Sequence, residues 1–350
     1  MEMRTKEFFI ASFSTILWVT VFSVGICNAL GEVITDEIFS PSLDGNLLGD
    51  SATRPMKIYL PPSYNSGNSR YPVIYYLHGY TGDEKGWLSC GIHTAMDELI
   101  AQGEVQEMIL VMPNAQNQYD GSWYANSSVA GNYEDYIAGD LVDFIDGKYR
   151  TLSQRESRAI AGGSMGGHGA MKLAIKRPDV YCAVVSHSGV LSLNQWRSFA
   201  PFVNSDRGLQ AMAIAFSPNP DAALLYDVPT NEDNWNRWLE HDPTTLVETH
   251  LDNLRQLAGI YFDHGTSDGT VEVAHARKFS QTLTQAGISH VYEEYDGDHT
   301  DQWPFRIHIA LPFLSDLLSS DILLSSNILT SVQPKGKLAM TWASLKVRAD

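Results

Sequence analysis

The sequence predicts an α/β fold: a mostly parallel central sheet with helices on both faces and a helical cap insertion. Three observations point to it. Short apolar runs bounded by turn residues alternate with segments of helical periodicity, the pattern of parallel strands joined by crossover helices. Prolines stand where several runs must stop, since proline supplies no N–H to a sheet ladder and fits poorly inside a helix. The chain of 350 residues, 44% hydrophobic, is long enough to bury one large core.

Residues 33–39 and 56–60 read as leading strands, the second stopped by Pro61 and Pro62. Residues 73–77 form a third. A helix over 94–101 leads to a fourth strand, 108–112, closed by Pro113. Over 133–149, Tyr136, Ile137, Leu141, Phe144 and Ile145 fall on one helical face. The fifth strand, 157–161, runs into Gly162-Gly163-Ser164-Met165-Gly166-Gly167, and a helix over 165–176 halts before Pro178. Strands six, seven and eight follow at 181–186, 257–263 and 290–295. Between six and seven, residues 191–254 are rich in Trp, Asn, Asp and Pro and too long for a plain connection, so they read as a helical cap over the site. Within them Asp242-Pro243 marks a helix start, an N-cap carboxylate followed by proline at the first helical position.

The ends differ from this middle. Arg4 and Lys6 precede an apolar run ending near Ala29 and Gly31, so residues 1–30 resemble a secretory signal peptide. The run also reaches the length of about 20 residues that an uncleaved anchor needs. Residues 319–350 alternate Ser and Leu, then carry Lys335, Lys337, Lys346 and Arg348 around Trp342, and suggest no chemistry. The catalytic unit is therefore expected over 31–318. A formal charge of −17 disfavours nucleic acid and anionic membrane as partners. No stable membrane association is expected once the signal is cleaved. Signal removal leaves Cys90 and Cys182, able to form one disulfide in an oxidising compartment, although Cys182 lies in a strand where cysteine commonly serves as a small buried hydrophobe.

Gly-x-Ser-x-Gly on a strand-to-helix turn makes Ser164 the expected nucleophile, because the turn lifts the hydroxyl clear of the backbone and glycine avoids the clash a Cβ would make there. A serine nucleophile needs a base, an acid that orients the base, and donors for the oxyanion. In this architecture the order is Ser, Asp or Glu, then His. Of eleven histidines, order removes His78 and His93; His168, on the helix after Ser164, reads as locally packed. His264, His275, His290 and His308 lie in or near elements and read as structural. His299 sits in the turn Asp296-Gly297-Asp298-His299-Thr300 just past strand eight, where the base belongs. Asp263 and Asp268 both follow strand seven, and loop position favours Asp268. Asp296 and Asp298 read as turn formers. The oxyanion donors should be the N–H of Met165, after the nucleophile, and the N–H of Tyr80 in the loop after strand three. The scheme calls for no cofactor and no metal.

The chain resembles the esterase D-like α/β-hydrolases, a group that includes feruloyl and acetylxylan-type esterases, S-formylglutathione hydrolases and mycolyltransferases. The matching residues are His78-Gly79-Tyr80, the run Gly131-Asn132-Tyr133-Glu134-Asp135-Tyr136, the Gly162-to-Gly167 elbow, the loop from Gly265 to Asp268, and Asp298-His299-Thr300 with Trp303. The resemblance implies the α/β-hydrolase fold, a triad of Ser164, Asp268 and His299, and Tyr80 and Met165 as oxyanion donors. A secreted member with Trp87, Trp123, Tyr124 and Trp303 near its site looks like an esterase acting on small or polysaccharide esters, feruloyl or acetyl. In that case Trp123, Tyr124 and Trp303 would stack on substrate. The other readings are an S-formylglutathione hydrolase-like thioesterase, an acyltransferase, and a catalytically silent polysaccharide-binding protein on this scaffold.

Overall fold

The computed structural model describes residues 30–318, so the expected signal segment, apart from Leu30, and the tail 319–350 lie outside the described residues. One eight-stranded sheet organises the rest. Its strands are β1 (Glu32–Phe39), β2 (Thr53–Leu60), β3 (Val73–Leu77), β4 (Ile109–Pro113), β5 (Arg158–Gly163), β6 (Ala183–His187), β7 (Gly259–Gly265) and β8 (Val291–Tyr295). They lie side by side in the order β1-β2-β4-β3-β5-β6-β7-β8. β2 pairs antiparallel with both β1 and β4; from β4 to β8 every pairing is parallel.

Burial explains the composition of these strands. Every residue of β3, β4, β5 and β6 is buried, so these central strands read as unbroken small and apolar runs, as parallel strands covered on both faces must. β1 is a half-exposed edge and carries Glu32, Asp36 and Glu37, charges that discourage further strand pairing. Alternate side chains of β3 divide the core into two parts. Val73, Tyr75 and Leu77 join a cluster under the helix spanning 133–148, α2, the helix Met165–Lys176, α3, and the insertion. Ile74 and Tyr76 join a second cluster with Ile92–Gln102, α1, and Trp303–Leu317, α8.

All eight expected strands are present, with ends shifted by a few residues. The shift that matters is in β7: Asp263 is not its last residue, because the strand continues through His264 to Gly265. The stretch 191–254 is helical, built from a 3-10 run Leu193–Ser205 and the helices Arg207–Phe216 (α4), Glu232–Leu239 (α5) and Pro243–Thr249 (α6). Asp242 caps α6 as its sequence suggests, accepting the Thr245 N–H at 3.3 Å, while its other oxygen accepts the N–H of Leu193 at 2.9 Å. That second bond ties the two ends of the insertion together. Cys90 and Cys182 are both free thiols.

Candidate active site

Ser164 stands between β5 and α3 with φ +55° and ψ −120°, a conformation L residues rarely adopt. Two glycines make the turn possible. A Cβ on Gly162 would lie 2.4 Å from the Gly166 carbonyl oxygen, and one on Gly166 would lie 2.2 Å from that of Leu77. The strained backbone is pinned at both sides: the Ser164 N–H donates to the His187 carbonyl at 2.8 Å, and its own carbonyl accepts the His168 N–H at 2.9 Å.

His299 and Ser164 line one cavity of about 190 Å³ together with residues 78–82, Gly86, Trp87, Thr300 and Trp303. The turn carrying His299 is held by carboxylates: Asp298 accepts the His299 N–H at 2.7 Å and Asp301 accepts that of Asp298 at 3.0 Å. The ring Nδ1 lies 2.6 Å from Asp268 Oδ2. A carboxylate only accepts, so this nitrogen carries the proton and leaves Nε2 for the nucleophile.

Asp268 accepts four bonds. Its Oδ1 takes the N–H groups of Thr270 and Val271, each at 2.8 Å, and its Oδ2 faces His299 and, at 3.1 Å, His264 Nε2. Burial raises its carboxyl, but His264, His299 and the Val271 N–H outweigh that and hold it well below the usual carboxylate range.

Asp263, its rival by sequence, is committed elsewhere. It is fully buried, 3.0 Å from His187 Nδ1 and 2.9 Å from Arg306 Nε. His187 Nε2 in turn meets the Tyr76 hydroxyl at 2.7 Å, and Arg306 also bonds Tyr261 and Glu293.

The loop after β3 approaches the nucleophile closely: a Cβ on Gly79 would lie 3.4 Å from that of Ser164. His78 shapes this loop. Its Nε2 accepts the Ala115 N–H at 2.9 Å, so Nδ1 holds the proton and donates it to the Gly79 carbonyl at 2.8 Å. The same carbonyl accepts the Gly82 N–H at 3.0 Å. A trans peptide keeps its N–H anti to its carbonyl, so pinning the Gly79 oxygen fixes the direction of the Tyr80 N–H. Burial pulls the His78 imidazole down to about 4, which keeps it neutral in this role. Met165 is buried at the first position of α3, directly after Ser164.

The aromatic residues separate into two groups. Trp303 lines the cavity, stacked on Trp87 with ring centroids 5.0 Å apart, and the Trp87 indole donates to the Leu77 carbonyl. Trp123 and Tyr124, expected on the substrate, are instead packed behind it. Trp123 meets His168, Trp196 and Phe216 edge to face. Tyr124 is fully buried against Gly169 and donates its hydroxyl to the His78 carbonyl at 2.8 Å. Their place in a loop of mixed polar residues gave no hint of this, because α3 and the insertion that cover them come from elsewhere in the chain. No residue of the insertion lines the cavity; it reaches the rim through Arg207, which pairs with Asp120 at 2.6 Å beside Tyr80. Trp87, expected near the site, lines the cavity, as do Thr81 and Thr300, which sequence reasoning did not assign.

A model of the family described as "Putative esterase" matches residues 51–312. Esterase MT1326 of Mycobacterium tuberculosis (strain CDC 1551 / Oshkosh) is 29% identical over 259 residues, which is 70% of this chain and 52% of that protein. The chain thus spans about half the length of the curated relatives it matches. Among solved structures, a ferulic acid esterase is similar with a TM-score of 0.66 at 27% identity, over 83% of this chain and 100% of that one. An S-formylglutathione hydrolase from Agrobacterium tumefaciens gives 0.62 at 18% identity, over 83% and 97%, a likeness of fold. With the matched span taking in the Ser164 elbow, the Asp268 loop and the His299 turn, the chain belongs to the Putative esterase family.

Proposed function

We propose that the protein is a serine carboxylic-ester hydrolase. The observation that carries this reading is the His299 Nδ1 contact to Asp268 at 2.6 Å, with His299 and the strained Ser164 lining one cavity. In this scheme Ser164 Oγ attacks the ester carbonyl carbon while His299 Nε2 takes its proton. The N–H groups of Tyr80 and Met165 receive the oxyanion. The tetrahedral adduct collapses, His299 returns the proton to the departing alcohol, and water repeats the sequence to release the acid and restore Ser164. Asp268 holds the imidazole and balances its charge throughout. No step needs a metal or an organic cofactor. Ser164→Ala should abolish hydrolysis of p-nitrophenyl acetate and covalent labelling by a fluorophosphonate; retained turnover would remove the assignment.

The substrate we propose is a feruloyl or acetyl ester of plant polysaccharide, or a related small ester. Two things support it: the likeness to a ferulic acid esterase, and the Trp87–Trp303 stack with Tyr80 around the cavity, a surface suited to a planar acyl group or a sugar face. Methyl ferulate, acetylated xylan and short acyl esters compared side by side will rank these, and added alcohol will reveal any acyl transfer as a transesterified product. We further propose secretion, on the basic and apolar pattern of residues 1–30, with cleavage near Ala29 to be read by N-terminal sequencing of the exported protein.

A further inference from the structure

We propose that His264 is a positioning residue of this site, its Nε2–H holding the Asp268 carboxylate in the orientation that His299 requires. The proposal rests on the reading of Ser164, His299 and Asp268 given above. Asp268 lies in a loop, whereas His264 lies in β7, four residues earlier and paired with Glu294 of β8. The strand is fixed by its ladder to β8, so a contact with His264 ties the aim of the acid to the sheet. His264 Nε2 is 3.1 Å from Asp268 Oδ2 and 2.7 Å from the Val271 carbonyl. Both partners only accept, so the proton sits on Nε2 and is shared between them. Oδ2, the oxygen that faces His299, is thus held by a second imidazole, while Oδ1 is held by the two backbone N–H groups.

The other side of the ring shows that this contact is more than packing. His264 is fully buried and its Nδ1 has no hydrogen-bond partner. An orphaned buried nitrogen is destabilising, a cost an apolar side chain of similar size would avoid. What the imidazole offers in return is the Nε2–H. Sequence reasoning set His264 aside as structural; the short spacing of His264 and Asp268 across one turn is the signal that it missed.

The test compares His264→Leu and His264→Phe, which remove the donor, with His264→Gln, which restores an N–H of similar reach. Outer partners that orient metal-binding histidines are typically worth about 10- to 100-fold, and the same scale is taken for an outer partner of this carboxylate. We expect kcat of the apolar variants to fall by about that factor with KM within about twofold, and the glutamine variant to recover most of the loss. The acid limb of the kcat/KM profile should move to higher pH in the apolar variants, because a carboxylate with one donor fewer holds the proton on His299 more strongly. Besides His299, the titratable groups facing this pair are His275 from the helix Ala274–Gln285, α7, and Glu294 and Tyr295 from β8, all retained in the variants. Equal loss in all three variants, or apolar variants with wild-type kcat and acid limb, would overturn the proposal. If neither apolar variant folds, a folded glutamine variant that loses kcat 100-fold does the same, whereas one that keeps it within about fivefold supports the donor role. Ser164→Ala run in parallel separates the levels: turnover there defeats the hydrolase reading, while a dead Ser164→Ala beside indifferent His264 variants defeats this proposal alone.

Discussion

Two histidine–aspartate pairs lie at the carboxyl ends of neighbouring strands, and they differ in what the far side of each imidazole meets. In His187–Asp263 the far nitrogen is 2.7 Å from the Tyr76 hydroxyl, and the pair is sealed by Arg306 with no exposure of either side chain. In His299–Asp268 the ring edges onto the cavity that Ser164 shares. Residue type and pair geometry are nearly the same. What separates a structural lock from a candidate base is the access of one nitrogen, together with whether the carboxylate has a cation to balance. Asp263 has Arg306 at 2.9 Å; Asp268 has only N–H donors and imidazoles, so its charge is available to an imidazolium forming on His299.

Substitution of each carboxylate distinguishes the two pairs most directly. Asp268→Asn should lower kcat by on the order of 10⁴, because an amide favours the wrong imidazole tautomer, with little change in the urea midpoint. Asp263→Asn should do the reverse. It leaves Arg306 with Glu293 as its one carboxylate partner, so stability should fall by about 3 kcal/mol in urea titration, while the folded fraction keeps its kcat within about tenfold. If the two outcomes are exchanged, Asp263 is the orienting acid.

Histidines that lack a carboxylate sharpen the contrast through pH. Burial pulls His78 down to about 4 and His168 to about 3, from an ordinary 6.5. Both stay neutral when folded, so their contribution is fully present above pH 6.5 and is lost as pH falls below it, where the unfolded chain takes up the protons. Asp242, pushed up to about 6 by burial, works the other way, adding stability as pH falls from 6 toward 3.8. His275, also lowered to about 3 by burial, acts with these two, so the histidines outweigh the carboxyl and urea midpoints should show a net loss of at least about 3 kcal/mol between pH 7 and 4.5. The smallest effect is expected for Tyr76→Phe. It frees the far nitrogen of His187 without exposing it, costing about 1–2 kcal/mol and leaving kcat unchanged, since Ser164 does not face that ring. A marked loss of kcat would show that the buried pair communicates with the elbow through the His187 carbonyl that holds the Ser164 N–H.

Much of the architecture is legible in the chain because the relevant rules act over a few residues. Apolar runs and their stops located all eight strands of the sheet, with Pro61 and Pro113 marking ends. Asp242-Pro243 announced a helix start, and the glycines flanking Ser164 announced a turn that no Cβ could share. The candidate site was partly legible for the same reason: Ser164, Asp268 and His299 each stand at the end of a recognisable strand, and chain order sorts them. Trp123 and Tyr124 were misread because burial is not a local property. Both hold positive φ in an irregular loop, and their cover comes from Trp196 and Phe216 in the insertion and Gly169 in α3.

Periodicity, turn stereochemistry and strand ends are written within one segment, so the residues of the chain are enough to locate the strands, the elbow and the side chains able to do the chemistry. The meeting of Asp268 with His299, the stacking of Trp87 on Trp303 in the cavity wall and the contact of His264 with Asp268 emerge with the assembled fold. Those outcomes depend on where β3, β7 and α8 bring their side chains together, and a contact across the sheet is set by the packing of the whole core.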